Sequence, residues 1–235
     1  MRNLRFILSA LATLLSFTVS AQTHYESNIT IGGKGGVTLS SASFSPTVPQ
    51  SMLTGMIVGA TFRYIEERHF GLIAEVNLEQ RGWKEDFEEA PYSYSRTLTY
   101  IQIPFLTHIY FGSTKFHGFF NAGPEVAFMI GESTSANFDI NNFQSLDDFP
   151  KVNRSTDQFA MPVKNKFDYG IAAGMGLEWS HPKMGHFLLE GRYYYGLGDI
   201  YGNSKRDFFG RSNLNNIVVK LTWLMDVKRS GRVKK

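Results

Sequence analysis

The feature that most constrains this chain is a two-residue alternation. It keeps one face apolar and gives the other a mixture of charge and glycine. Leu72, Ala74, Val76 and Leu78 alternate with Glu75, Asn77, Glu79 and Arg81. Further along, Tyr169, Ile171, Ala173, Met175, Leu177 and Trp179 alternate with Asp168, Gly170, Ala172, Gly174, Gly176 and Glu178. Side chains repeat every two residues along a strand and every 3.6 along a helix, so such a face belongs to β-structure. Eight stretches qualify: 32–40, 53–65, 70–83, 97–111, 116–130, 166–179, 186–196 and 214–225. Most reach the roughly ten residues that a tilted membrane-spanning strand needs, or exceed it.

A soluble sandwich also alternates, with its apolar face inside. Two features of the strands favour a lipid-facing barrel. The aromatics Phe62, Tyr64, Phe111, Phe116, Tyr169, Trp179 and Trp223 fall toward strand ends, where interfacial girdles lie. Glycine studs the polar face, which suits a narrow interior that must fit side chains from all around a ring. The connections alternate as well. Long segments at 41–52, 84–96, 131–165 and 197–213 trade places with tight ones at 66–69, 112–115 and 180–185. Short turns on one side and long loops on the other are the habit of outer-membrane barrels.

The N-terminus supports export. Arg2 and Arg5 precede an uncharged, mostly apolar run from Phe6 to Val19, and Val19-Ser20-Ala21 offers a small-residue cleavage site before Gln22. The run is too short to span a bilayer comfortably as a helix. The expected organisation is a signal peptide at 1–21, a barrel at 22–226 and a basic tail at 227–235. The formal charge of +3 falls to +1 without Arg2 and Arg5. Lys228, Arg229, Arg232, Lys234 and Lys235 carry five of the remaining positives, so the body is about −4. A nucleic-acid partner is not expected for such a body. With no cysteine in the chain, disulfides and a lipid-bearing cysteine are both excluded. The expected fold is all-β: one closed antiparallel eight-stranded transmembrane barrel in a bacterial outer membrane, with both termini in the periplasm.

The order of several short motifs resembles the PorT-like family of Bacteroidota outer-membrane β-barrel proteins. They are Gly32-Gly33-Lys34-Gly35-Gly36-Val37, Glu75 with Gln80-Arg81-Gly82, Tyr100-Ile101-Gln102-Ile103-Pro104 and Gly123-Pro124-Glu125. Phe167-Asp168-Tyr169-Gly170, Gly174-Met175-Gly176 and Gly191-Arg192-Tyr193-Tyr194-Tyr195-Gly196-Leu197 follow. The resemblance implies an eight-stranded barrel without enzymatic activity. One branch of that family is linked to protein secretion through the type IX system. The segment 131–165 is long for the family's simplest members.

The polar face is the candidate functional site. It collects Lys34, Arg63, Arg81, Arg192 and Lys220 with Glu75, Glu79, Glu125, Asp168, Glu178 and Glu190. Eight strands leave an interior just wide enough for side chains, and buried charges must pair. The expectation is a salt-bridge network that holds the barrel shut, with Arg81 and Arg192 as hubs beside Glu79 and Glu190, and Glu178 facing the same interior. A narrow ion path is the functional alternative. Catalysis finds little support. The histidines His24, His69, His108, His117, His181 and His186 show no His-Glu-x-x-His spacing, and five of them read as polar residues in or near the tight turns. There is no Gly-x-Ser-x-Gly and no phosphate-binding glycine loop. Asp139, Asp147, Asp148 and Asp157 lack the order of a calcium loop. No cofactor, metal or catalytic residue is expected. Phe138, Phe143, Phe149 and Phe159 in the long segment would pack the loop over the barrel mouth or meet a partner. The expected partners are outer-membrane lipids and other secretion or envelope proteins. A binding module acting through its outer loops stays open as an alternative.

Overall fold

A computed structural model describes residues 27–65, 69–87, 90–113, 115–146, 149–150, 156–202 and 207–229. The expected signal peptide at 1–21 lies outside these residues, as does the tail from 230 onward. Eight long strands follow one another: β1 Asn28–Ser45, β2 Leu53–Ile65, β3 Phe70–Glu85, β4 Tyr94–Gly112, β5 Phe116–Ala136, β6 Phe167–His181, β7 Gly185–Asp199 and β8 Arg211–Arg229. A two-residue strand, Gln50–Ser51, adds to β3 at Glu85 and Lys84. Each long strand pairs antiparallel with its neighbour in sequence. β1 then pairs with β8 from Asn28↔Arg229 to Ser45↔Arg211, which closes the ring. Closure leaves no open edge, so every spanning strand has a partner on both sides, as hydrocarbon requires. No helix among the described residues is long and apolar enough to cross a membrane.

The eight strands stand where the alternation put them, but seven are longer than expected, and most of the extra length lies at the long-loop end. β1 continues to Ser45, β4 begins at Tyr94 and β5 runs to Ala136. β8 enters the expected basic tail as far as Arg229.

The reason is a change of polarity along the wall. In the half near the short turns, outward residues are apolar: Ile31 and Val37 on β1, Leu72 and Leu78 on β3, Ile217 and Leu221 on β8 are all exposed. Beyond a line through Leu39, Gln80, Thr99, Glu132 and Asn215, the outward residues become polar, such as Ser41, Ser43, Lys84, Ser95 and Thr97. The inward ones become apolar at the same level: Ala42, Phe44, Trp83, Tyr94 and Leu98 are buried. One half is therefore built for lipid outside, the other for water outside. A search for apolar outward faces stops at that line, which is why 41–45, 94–96 and 131–136 read as loop.

The water-side half has its own core. Phe44, Trp83, Tyr94, Tyr201 and Phe209 fill the barrel end, and Phe149 and Phe159 come down on them from the long segment between β5 and β6. Phe44 meets Trp83 edge-on at 5.2 Å, and Tyr94 lies 4.6 Å from Phe159. Phe138, Phe143, Phe149 and Phe159 pack on one another at 5.1 to 5.5 Å in four pairs. These aromatics form a cap over the mouth. Asp147 and Asp148 lie outside the described residues.

Candidate functional site: the charged interior

Residues two apart on a strand share a face, so a carboxylate two places before an arginine points into the same space. Arg81 and Glu79 on β3 show this, as do Arg192 and Glu190 on β7. Lys34, Arg63, Glu75, Glu125, Asp168, Glu178 and Lys220 also point inward. All eleven residues of the polar face are buried.

Arg81 forms the first centre. Its Nη2 donates to Glu79 Oε2 at 2.5 Å and to Glu125 Oε1 at 2.7 Å, while Nη1 reaches Asp168 Oδ2 at 3.1 Å. Three strands thus meet on one guanidinium, whose fork of donors suits several carboxylates at once. The rings of Tyr100 and Tyr194 lie 5.1 and 4.4 Å from its carbon. The Tyr194 hydroxyl donates to Asp168 at 3.0 Å, and the Asn216 amide donates to Glu79. Gly170 makes room here: a Cβ on it would stand 2.7 Å from the Tyr194 ring.

Glu75 and Arg192 form the second centre. Arg192 binds Glu75 through both terminal nitrogens, at 2.8 and 2.9 Å, and Glu190 through Nε at 2.7 Å. Lys220 reaches Glu75 at 3.1 Å and Glu190 at 3.3 Å, and Lys34 pairs with Glu75. β3 and β7 stand opposite each other in a ring of eight, so the Glu75–Arg192 pair crosses the whole bore.

The third centre lies toward the short turns. Arg63 Nη1 donates to Glu178 Oε2 at 2.6 Å, joining β2 to β6, which are also opposite. Glu178 thus serves Arg63 and makes no ion pair with either hub. His186 Nδ1 meets Glu178 Oε1 at 2.7 Å and its Nε2 lies 3.3 Å from Asp226. Asn28 donates to the same Asp226 oxygen at 2.7 Å.

Several interior residues escaped the sequence reading. His108 was expected near a turn; it is fully buried, with Nδ1 2.7 Å from Asn121 Oδ1 and its ring 5.3 Å from Phe119. His186 likewise belongs to the interior rather than to a turn. The parity of β4, which turns Arg96, Gln102 and His108 to one side, was the available signal. His69 and His181 do serve turns: His69 contacts the Tyr110 carbonyl at 3.1 Å, and His181 Nδ1 accepts from the Lys183 and Met184 amides. Arg96 was missed because its strand was begun three residues late, at 97 instead of Tyr94; it donates to Glu132 at 3.1 Å and to the Met161 carbonyl at 2.7 Å. Asn77 links Glu75 to Gln102. Among the described residues no group of three or more His, Asp or Glu is arranged to hold a metal ion.

A closed eight-stranded wall, apolar outside and ion-paired inside, defines an integral membrane β-barrel. The chain belongs to the outer membrane protein beta-barrel domain family, whose sequence pattern matches residues 20–202. It is an outer-membrane protein. Comparison with curated protein sequences finds no match. Among solved structures, the outer membrane protein OprG of Pseudomonas aeruginosa is similar at 12% identity, over 86% of this chain and 98% of that one, with a TM-score of 0.47. Neisserial surface protein A shares 11% over 85% and 99%, at 0.43. Ail, the attachment invasion locus protein of Yersinia pestis, shares 12% over 86% and 100%, at 0.38. The family assignment rests on the sequence match and not on these structures.

Proposed function

We propose that this barrel is a closed, non-catalytic anchor that assists protein secretion or envelope assembly, as in the PorT-like branch it resembles. The observation that carries the closed state is the pair of ionic bridges spanning opposite strands, Glu75–Arg192 and Arg63–Glu178. A solute path along the axis would have to break both, leaving buried charges unpaired. The aromatic cap blocks the same axis from the loop end. It also occupies Phe138, Phe143, Phe149 and Phe159, which argues against their display to an extracellular ligand. β1 begins and β8 ends at the short-turn end, and in this reading that end faces the periplasm. Lipid surrounds the apolar half, and protein partners meet the barrel at its ends.

Deleting the gene and comparing the secreted proteome tests the role. The expected result is the loss of a subset of secreted proteins while the general protein content of the outer membrane is unchanged. An unaltered secreted proteome would remove the secretion role.

A further inference from the structure

The lipid-facing wall is not evenly filled. Outward residues line up across neighbouring strands in rows set by the register. One row reads Phe62, Ala74, Phe105 and Pro124, and the next reads Tyr64, Leu72, Thr107 and Ala122. Small side chains at Ala74, Thr107 and Ala122 thus sit among large ones at Phe62, Tyr64 and Phe105. The strand ladder is also interrupted here. β3 and β4 lose register pairing between Ala74↔Phe105 and Asn77↔Gln102, and β4 and β5 lose it between Pro104↔Glu125 and Thr107↔Ala122. Pro104 falls in the first gap and Pro124 in the second, and proline cannot donate to a ladder. Gly123 lets the two backbones approach there, since a Cβ on it would stand 2.0 Å from the Phe105 carbonyl oxygen.

The outcome is a groove of about 340 Å³ across β2 to β5, lined almost wholly by carbon. Two lining side chains carry a hydroxyl, Tyr64 and Thr107, and that of Thr107 already donates to the Ala122 carbonyl at 2.9 Å. Nothing in it asks for a polar ligand. It opens within the apolar half of the wall, where Leu72, Phe105 and Phe120 are exposed, so hydrocarbon is its surroundings. A methylene takes about the room of a water molecule, ~30 Å³. The groove therefore has room for a segment of about ten carbons.

We propose that this groove is a specific lipid site that seats one acyl chain of a phospholipid from the leaflet on the short-turn side. Leu72 lies only two residues beyond the start of β3, and Tyr64 one residue before the end of β2, which places the groove nearer that leaflet. The ligand class is a linear alkyl chain held by shape and dispersion, with the headgroup left outside.

The test uses the full-length barrel reconstituted with phosphatidylethanolamine and phosphatidylglycerol, extracted into mild detergent and weighed intact by native mass spectrometry. The wild type should keep one phospholipid. Ala122→Phe points outward into the groove and should lower that occupancy at least about tenfold, because it displaces several methylenes from contact. Leu221→Phe on β8, opposite β4 in the ring, should leave it unchanged. Resistance of each folded variant to SDS before boiling verifies assembly. Three results would overturn the proposal: a wild type that keeps no lipid, an Ala122→Phe variant that keeps as much as the wild type, or a wild-type dimer that Ala122→Phe converts to monomer.

Discussion

Arg81→Ala should destabilise the barrel more than any other single change among its buried charges, by about 3–5 kcal/mol. Arg81 is fully buried and makes ion pairs with Glu79, Glu125 and Asp168. Among the described residues it is the one base in ion-pair contact with those three acids. Its removal leaves buried carboxylates facing one another with no compensating charge, and desolvation is then unopposed. Arg192→Ala should cost less. Its cluster holds three bases, Lys34, Lys220 and Arg192, for two acids, Glu75 and Glu190, so two ammonium groups remain in place. Arg81→Lys should fall between wild type and alanine, because an ammonium is a compact charge without the planar fork. Urea unfolding in lipid vesicles, followed by the loss of SDS-resistant mobility, ranks the three variants. Equal stability of Arg81→Ala and wild type would refute the pairing scheme.

Trp83→Ala should cost a similar amount, about 3–5 kcal/mol, by a different route. Trp83 is fully buried at the junction of the charged interior and the aromatic cap. It packs edge-on against Phe44, lies 6.4 Å from Tyr201 and has the Arg96 guanidinium 5.9 Å from its ring. Truncation leaves a cavity lined by aromatics that strand geometry holds apart. The damage should be local to the water-side half. Limited proteolysis should nick the β5–β6 segment or the β7–β8 loop in Trp83→Ala well before the membrane-embedded strands are cut. Arg81→Ala should show the reverse order, with loss of the barrel before selective loop cleavage. Identical cleavage patterns in the two variants would show that cap and interior are not separate cooperative units.

The membrane half of the fold was legible because one rule governs it. Apolar residues face lipid and polar ones face each other, and that rule writes itself as an alternation that inward apolar residues such as Ile73, Leu106 and Leu188 interrupt without hiding. β2, which lies almost wholly within that half, has the expected bounds, 53–65. The inward position of all eleven charges followed from the same parity. Their pairing did not. Parity says that Glu178 points inward but not that it meets Arg63 across the bore, because that depends on strand stagger and tilt, which alternation does not encode. The water-side half was hidden for the opposite reason. There the strand carries serine and threonine outward and Ala42, Phe44 or Tyr94 inward, a pattern shared with ordinary polar loops. His108 was misread because one histidine beside a turn carries no sign of direction; only its parity with Arg96 and Gln102 does.

In the proposed closed state, ionic bridges and an aromatic cap block this barrel along its axis. Conductance of the purified wild-type protein in planar lipid bilayers tests it most directly. The Glu75–Arg192 and Arg63–Glu178 bridges span opposite strands, and the Arg81 centre joins three strands between the bore and the cap. The prediction is no steady current and no discrete openings at moderate voltage, with the protein shown to be inserted by its heat-sensitive mobility. Reproducible single-channel steps of constant size from the unmutated protein would contradict the closed interior and make ion or small-solute passage its function.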